Sequence, residues 1–241
     1  MPSYGESRKV LPQTQVANAS HMSPLQAEFE VEVRTQTMDL TASDLEVQVA
    51  ELTAELDVGL LIYNAGAMHG TGLFLDRPLA DARKLVDLNC HGPLIFCHSL
   101  GRQMRDRHRG GIVLLSSMSG LGGGAYTAAY GASKSFDITL AEALWAELGP
   151  SGVHVLGLIC GATDTPAMAR SGIDFGEGSD FVPMDPDDVA AEGLAALPNG
   201  PLHVAGEGNR AVAEILRGER KQAIEFLSMG AAMLYGEQWP L

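Results

Sequence analysis

Three nearly continuous apolar runs constrain the fold of this chain more than any other feature of its sequence. They cover residues 58–63, 111–115 and 153–159, and the sequence between them carries apolar residues at helical spacing. A continuous apolar run of this length is typical of a parallel strand that is buried on both faces. Such strands in alternation with helices predict an α/β fold, built on an open parallel sheet with right-handed crossovers.

The elements around these runs follow from periodicity and from helix-ending signals. The helix over 128–148 is the strongest, because Gly149-Pro150 closes it. The 161–183 segment is rich in Gly, Asp and Pro, and is predicted to be a loop that shapes a pocket. The same analysis predicts helices over 43–56, 78–107, 187–197 and 209–235, and short strands over 31–35 and 201–205.

The first residues of the chain differ from the rest. Residues 1–22 are polar, show no periodicity and end in Ser20-His21-Met22, which resembles a cloning scar. They are interpreted as a leader, either vector-derived or native. Residues 23–241 are expected to form one α/β domain, since a chain of 241 residues can bury a sizeable single core.

Charge and composition argue against several classes of partner. A formal net charge of −14 repels phosphate backbones, so nucleic acid is not an expected partner. No Cys or His cluster has metal-ligand spacing, and the three cysteines are expected to be reduced thiols of a cytoplasmic protein. No apolar run approaches the roughly 18 residues that cross a bilayer, so a membrane is not expected either.

Polar segments follow each of the three apolar runs. They are Asn64-Ala65-Gly66, Ser116-Ser117 and Cys160-Gly161. Ligands of open parallel sheets bind beyond the carboxyl ends of the strands, where these segments must meet. The sequence therefore predicts a functional site at this edge of the sheet.

Tyr130 and Lys134 bring reactive groups to the start of the 128–148 helix. Their i, i+4 spacing places both side chains on one helix face. A phenol alone has a pKa near ~10, which makes it a poor acid or base at neutral pH. An ammonium at ~4 Å, with an effective dielectric constant of ~20, favours the phenolate by at most about 4 kcal/mol. Tyr130 is thus a candidate acid–base group, and Ser117 can hydrogen-bond a substrate oxygen.

Taken together, these residues resemble those of one known family. From about residue 25 to about residue 205 the chain is similar to the short-chain dehydrogenases/reductases, which implies a Rossmann-like sheet flanked by helices. The matching motifs are Asp39-Leu40, Asn64-Ala65-Gly66, Asn89, Ser117, Tyr130-x-x-x-Lys134 and Cys160-Gly161-Ala162-Thr163-Asp164-Thr165.

The resemblance assigns a role to each of these residues. It implies that Tyr130 is the general acid/base, that Lys134 lowers the pKa of Tyr130 and contacts the nicotinamide ribose, and that Ser117 orients the carbonyl or alcohol. Asn89 would hold a water in the proton relay. The implied cofactor is NADP or NAD, contacted by Asp39, Asn64, Ala65, Gly66, Gly161, Thr163 and Thr165.

The N-terminal part of the chain departs from the family pattern. The T-G-x-x-x-G-x-G turn, which holds the pyrophosphate at a helix N-terminus, is absent, and Gly5 is the sole glycine before Gly59. The resemblance is therefore to a member without its first βαβ portion, in which strand edges and apolar faces are expected to be exposed unless a partner chain covers them. Tyr63 also replaces a second asparagine of the pattern, and Cys160 replaces a proline.

Three functions remain open on the sequence alone. The first is an oxidoreductase that transfers hydride between NAD(P) and a carbonyl or secondary alcohol. The second is a cofactor-independent ester hydrolase with Ser117 as the nucleophile, and the third is a non-catalytic relic or binding module. A small apolar carbonyl, alcohol or ester is the expected substrate, and the resemblance implies that the 128–148 helix supports a homo-oligomer.

Overall fold

The computed structural model describes residues 28–68, 70, 72–170 and 182–240. Within these residues, four strands form one parallel sheet in the order β1-β2-β3-β4. This arrangement confirms the predicted parallel α/β architecture. The strands are β1 (Leu60–Tyr63), β2 (Gly110–Ser117), β3 (Val153–Cys160) and β4 (Leu202–Val204).

Helices separate the strands along the chain, as the periodicity predicts. The single helix expected over 78–107 consists of two α-helices joined by a π-helical turn, and the one expected over 209–235 is divided in two. The α-helices are α1 (Leu45–Thr53), α2 (Leu79–Val86), α3 (Gly92–Asp106), α4 (Ala128–Leu148), α5 (Pro166–Arg170), α6 (Pro186–Ala196), α7 (Glu207–Leu216) and α8 (Arg220–Tyr235), and the π-helical turn is Asp87–His91.

Side chains from both faces of the sheet form the core. On one face, Ile112 and Leu114 of β2 pack with residues of α3 and α4, including Leu100 and Ala141. On the other face, Val113, Leu156 and Leu158 pack against Val189 of α6. Because successive strand residues point to opposite faces, burial on both sides explains why these strands are continuous apolar runs.

The π-helical turn between α2 and α3 packs closely against the bulky side chain of Tyr63. The Tyr63 hydroxyl donates a hydrogen bond to the carbonyl of Leu88, at 2.8 Å, inside that turn. A β-carbon at Gly92 would overlap the same hydroxyl, so the helix can pass this close only with glycine there. A widened turn of this kind often accompanies a functional residue, and Asn89 is at its centre.

The segment 31–35 is not a strand, so that prediction is wrong. Val31 is half exposed, and the segment has no neighbouring strand among the described residues. Alternating residues form a strand only when a partner supplies the hydrogen bonds of the ladder. Within the described part of the chain β1 pairs with β2 alone, and Leu60 and Ile62 are 40% and 49% exposed, which agrees with the expected open edge. The leader predicted over 1–22 lies outside the described residues.

Candidate active site

The carboxyl ends of β1, β2 and β3 bring the predicted polar segments to one edge of the sheet. Ser117 and Cys160 are paired in register as the last residues of β2 and β3. Tyr63, the last residue of β1, pairs with Leu114, so that Asn64-Ala65-Gly66 continues from β1 beside the end of β2. The structure therefore gathers these segments as the sequence predicts.

Lys134 is buried beneath this edge, and its ammonium group makes one ion pair and two hydrogen bonds. Its Nζ donates to the carbonyl of Leu115 at 2.8 Å and to Oδ2 of Asp137 at 2.9 Å. The Lys134 and Asp137 side chains are only 8% and 3% exposed. A β-carbon at Gly66 would stand 3.3 Å from Nζ, so the ammonium lies directly against the Gly66 backbone. The third N–H of the ammonium remains for a ligand.

Asn89 connects three elements of the site. Its Oδ1 accepts a hydrogen bond from the Ala67 N–H at 3.0 Å, while its Nδ2 donates to the Ala67 carbonyl at 2.9 Å and to Oγ of Ser133 at 2.9 Å. The side chain is almost completely buried. Asn89 thus holds the segment after β1 against α4, and its Oδ1 also faces Gly66.

The loop between Ser117 and Tyr130 is fastened to α4. Ser116 Oγ donates to the Lys134 carbonyl at 2.7 Å, and Ser135 Oγ donates to the Gly120 carbonyl at 2.5 Å. The Ser117 hydroxyl accepts a hydrogen bond from the Ser119 N–H at 3.2 Å. These bonds fix the end of β2 relative to the first turns of the helix that carries Tyr130.

Burial keeps the nearby cysteines in the thiol form. It raises the pKa of both Cys90 and Cys160 to about 11, with Asp137 adding to the effect at Cys90 and Lys134 opposing it at each. A protonated thiol is a poor nucleophile, so neither cysteine is a candidate for covalent catalysis. Among the described residues, no group of three His, Cys, Asp or Glu side chains could hold a metal ion.

Four of the predicted cofactor-contacting residues lie in two different parts of the chain. Gly161 and Thr163 follow β3 at the same edge, where Thr163 Oγ1 donates to the Gly161 carbonyl at 3.3 Å. Thr165 Oγ1 accepts a hydrogen bond from Met168 N–H at 3.2 Å and so begins α5. Asp39 lies in the turn before α1, where the Thr41 N–H and hydroxyl donate to its Oδ1 and lower the pKa of the carboxyl.

The described residues fit the nicotinamide-ribose end of a dinucleotide. Gly66 leaves open backbone beside the Lys134 ammonium, and Asn89 holds the segment that forms this cradle. Small residues that allow close approach of backbone, beside a fixed cation donor, are what a ribose hydroxyl requires. Asn64, Ala65 and Gly66 therefore remain the strongest candidates for cofactor contact.

Two features of the site are absent from the sequence predictions. Asp137 is the buried partner of Lys134, and the i, i+4, i+7 spacing of Tyr130, Lys134 and Asp137 is a signal that could have revealed it. The second is the end of α8. Tyr235 packs against the buried cluster of Tyr126, Ala231 and Ala232, and its pKa is raised to about 12, first by burial and then by the neighbouring Tyr130. The C-terminal segment therefore borders Tyr130.

Asn89→Leu is expected to lower the free energy of unfolding by about 2–4 kcal/mol, because it removes three hydrogen bonds and leaves both polar backbone groups of Ala67 without their partner. Ser133→Ala, which removes one of those bonds and the bond from Ser133 Oγ to the Tyr130 carbonyl but keeps both Ala67 contacts, is the control, and about 1–2 kcal/mol is expected for it. Urea unfolding followed by circular dichroism measures both. Equal losses in the two variants would contradict a structural role for the Ala67 contacts.

Comparison with known proteins identifies the family. A model of the short chain dehydrogenase family matches residues 7–174, and the chain therefore belongs to that family. A 7beta-hydroxysteroid dehydrogenase of Clostridium sardiniense is 27% identical over 183 residues, which cover 74% of this chain and 68% of the relative. A very-long-chain 3-oxoacyl-CoA reductase of Podospora anserina is 33% identical over 128 residues, which cover 52% of this chain and 38% of the relative.

Solved structures show the same fold. A short-chain dehydrogenase from Sphingobium yanoikuyae in complex with NADPH is 26% identical, with a TM-score of 0.70, and the match covers 83% of this chain and 78% of that one. A structure of a 7beta-hydroxysteroid dehydrogenase matches with a TM-score of 0.76 over 85% of this chain and 80% of that one, at 23% identity. These matches confirm the Rossmann-like sheet and the oxidoreductase class. In the described residues, no helix has the length and apolar character needed to cross a membrane.

Proposed function

We propose that this chain is an NADP(H)-dependent oxidoreductase that interconverts a ketone and a secondary alcohol on a bulky apolar substrate. The observation that carries the proposal is the buried ammonium of Lys134. It lies one helical turn from Tyr130 and against Gly66, with one N–H uncommitted. A buried ammonium one helical turn from a phenol and against an open glycine backbone supports acid–base chemistry on a bound carbonyl.

The catalytic roles follow from these positions. Bound NADP(H) supplies or accepts the hydride. The Tyr130 hydroxyl donates a proton to the carbonyl oxygen during reduction and accepts it back during oxidation. The Ser117 hydroxyl, at the end of β2, donates a hydrogen bond to the same oxygen and fixes the orientation of the carbonyl. The remaining N–H of Lys134 is available to a ribose hydroxyl.

The relatives and the C-terminal segment together support the choice of substrate class. The similar proteins bear the names of a hydroxysteroid dehydrogenase and a long-chain 3-oxoacyl-CoA reductase. In this chain, an apolar cluster that includes Tyr126, Ala231 and Tyr235 borders Tyr130. An apolar wall beside the proton donor favours a ketone with bulky hydrocarbon on at least one side.

The hydrolase hypothesis gains no support from the geometry. A serine nucleophile needs a base that removes its proton. The hydrogen bond made by the Ser117 hydroxyl comes from the Ser119 N–H, and the Lys134 ammonium is bonded to Leu115 and Asp137. Ester turnover that survives in Ser117→Ala would exclude the mechanism altogether.

A titration of the purified protein with NADPH, followed by fluorescence, tests the proposed function. We expect saturable binding, and then loss of NADPH absorbance when a bulky cyclic ketone is added. Binding without turnover of any ketone would favour a binding module, and no binding at millimolar NADPH would refute the proposal.

Gly66→Val is expected to weaken NADPH binding about tenfold or more, since its side chain would fill the space beside the Lys134 ammonium. Gly59→Ala, at the start of the same strand region, is the matched control because a β-carbon there has nothing within 4 Å. The dissociation constants of both variants come from the same titration. An unchanged constant for Gly66→Val would place the cofactor elsewhere.

A further inference from the structure

Three groups that can carry charge lie along one face of α4. Tyr130, Lys134 and Asp137 follow the i, i+4, i+7 spacing of residues that share a helix face. At 1.5 Å per residue, Asp137 is about 10 Å along the helix axis from Tyr130. The Lys134 ammonium is bonded to the carboxylate of Asp137 at 2.9 Å.

Asp137 is an unusual residue to bury at this position. Its side chain is 3% exposed, and its Oδ1 has no hydrogen-bond partner among the described protein atoms. Burying a carboxylate with one oxygen unsatisfied costs free energy, which a neutral side chain of similar size would avoid. Packing alone therefore does not explain an aspartate here, whereas its contact with Lys134 has a direct electrostatic consequence.

We propose that Asp137 is a positioning residue that sets the acidity of Tyr130 by offsetting the charge of Lys134. A lone ammonium strongly favours the phenolate, but an ammonium paired with a carboxylate presents little net charge to a phenol on the same helix face. Tyr130 therefore keeps its proton to higher pH than it would beside an unpaired lysine. The catalytic consequence rests on the proposed function, since it requires Tyr130 to exchange a proton with substrate.

The groups packed around the pair come from several other elements. Tyr63 of β1, Cys97 of α3 and Cys90 of the π-helical turn face Asp137, and Cys160 of β3 faces Lys134. Burial raises the pKa of each of these four groups, so all of them are uncharged near neutral pH. Tyr235 of α8, which faces Tyr130 itself, is likewise uncharged because burial raises its pKa. The Lys134–Asp137 pair consequently remains the charged feature on the helix face that carries Tyr130.

A spectroscopic titration of the Tyr130 phenol tests the proposal without requiring turnover. The phenolate absorbance of each protein is recorded against pH, and the same titration of its Tyr130→Phe derivative is subtracted. Asp137→Asn keeps the size of the side chain and an oxygen that accepts from Lys134. Removing a charge at ~10 Å, with an effective dielectric constant of ~20, is expected to lower the Tyr130 midpoint by about one pH unit.

The pH profile of turnover and a matched variant complete the experiment. In Asp137→Asn, the limb of the kcat/KM profile that reports Tyr130 is expected to move down by the same amount. Glu142→Gln removes an exposed carboxylate from the same helix, and solvent screening should keep its shift below about 0.3 unit. An unchanged Tyr130 midpoint in folded Asp137→Asn would overturn the proposal. A shifted midpoint in a protein that reduces no ketone would support it while refuting the proposed function.

A double variant covers the case in which Asp137→Asn fails to fold. Lys134→Met with Asp137→Leu removes both buried charges and leaves neither unpaired. If the pair is electrically balanced, the Tyr130 midpoint in this variant stays close to that of the unmodified protein. If Asp137 only holds the Lys134 ammonium in place, without reducing its effect on the Tyr130 phenol, the Tyr130 midpoint instead rises by about one unit or more. That result overturns the proposal.

Discussion

Tyr130→Phe is expected to lower kcat for ketone reduction by about 10²- to 10⁴-fold, the usual contribution of a positioned acid–base group. The substitution removes one hydroxyl and leaves the local fold intact, because the structural hydrogen bond at this residue is made by its backbone carbonyl, which accepts from Ser133 Oγ at 2.8 Å. The affinity for NADPH and the thermal midpoint should therefore remain nearly unchanged. Steady-state kinetics and the fluorescence titration measure the two effects separately.

Tyr126→Phe provides the matched control for this substitution. The Tyr126 hydroxyl donates a hydrogen bond to the carbonyl of Gln238 at 2.8 Å, so its loss should cost about 1 kcal/mol of stability. Because it contributes no proton to the reaction, this variant should keep most of its turnover. Similar losses of kcat in the two variants would mean that any missing hydroxyl in this region disturbs the site, and Tyr130 would lose its assignment as the proton donor.

The parts of the fold that were predictable are those dictated by local sequence. The apolar runs at 58–63, 111–115 and 153–159 overlap three of the strands, because burial on both faces requires continuous apolar residues. The segment 31–35 carries a strand-like alternation and yet forms no strand. An alternating pattern describes only the residues of the segment. A strand also needs a neighbouring strand to pair with, and the local sequence does not specify one.

The same distinction holds for the candidate site. Tyr130, Lys134 and Ser117 were predictable, since helical spacing and strand ends place them without knowledge of packing. The helical spacing puts Asp137 on the same face, but its burial was not predictable, because an aspartate on a long helix is ordinarily solvated and the packing of α4 against its neighbours buries it. The hydrogen bonds of Asn89 to Ala67 and Ser133 likewise depend on the π-helical turn, which no local pattern predicts.

Lys134→Met is expected to be the most destabilising of these single substitutions, lowering the free energy of unfolding by about 3–5 kcal/mol. Methionine fills a similar volume but supplies no donor. The carboxylate of Asp137, already without a partner for Oδ1 among the described atoms, would then lose the bond to Oδ2 as well. Turnover should also disappear, so stability measurements by urea unfolding must accompany the kinetics.

The pH dependence of this loss distinguishes an unpaired charge from a simple packing defect. In the folded protein, burial raises the pKa of Asp137 above its ordinary value, and Lys134 opposes the rise. Without Lys134 the pKa rises further, so the folded state binds a proton more readily than the unfolded chain. The destabilisation is then fully present above the folded pKa and is relieved as the pH falls through it toward the unfolded value near ~4.

Adding Asp137→Leu to Lys134→Met should therefore restore most of the lost stability, remove this pH dependence and leave the enzyme without normal turnover. A buried pair replaced by apolar side chains of similar size is commonly neutral or stabilising, whereas removal of one partner is not. Unfolding curves at several pH values for the two single variants and the double variant give the coupling free energy directly. Additive losses would mean that the two side chains act independently, despite the 2.9 Å contact between them.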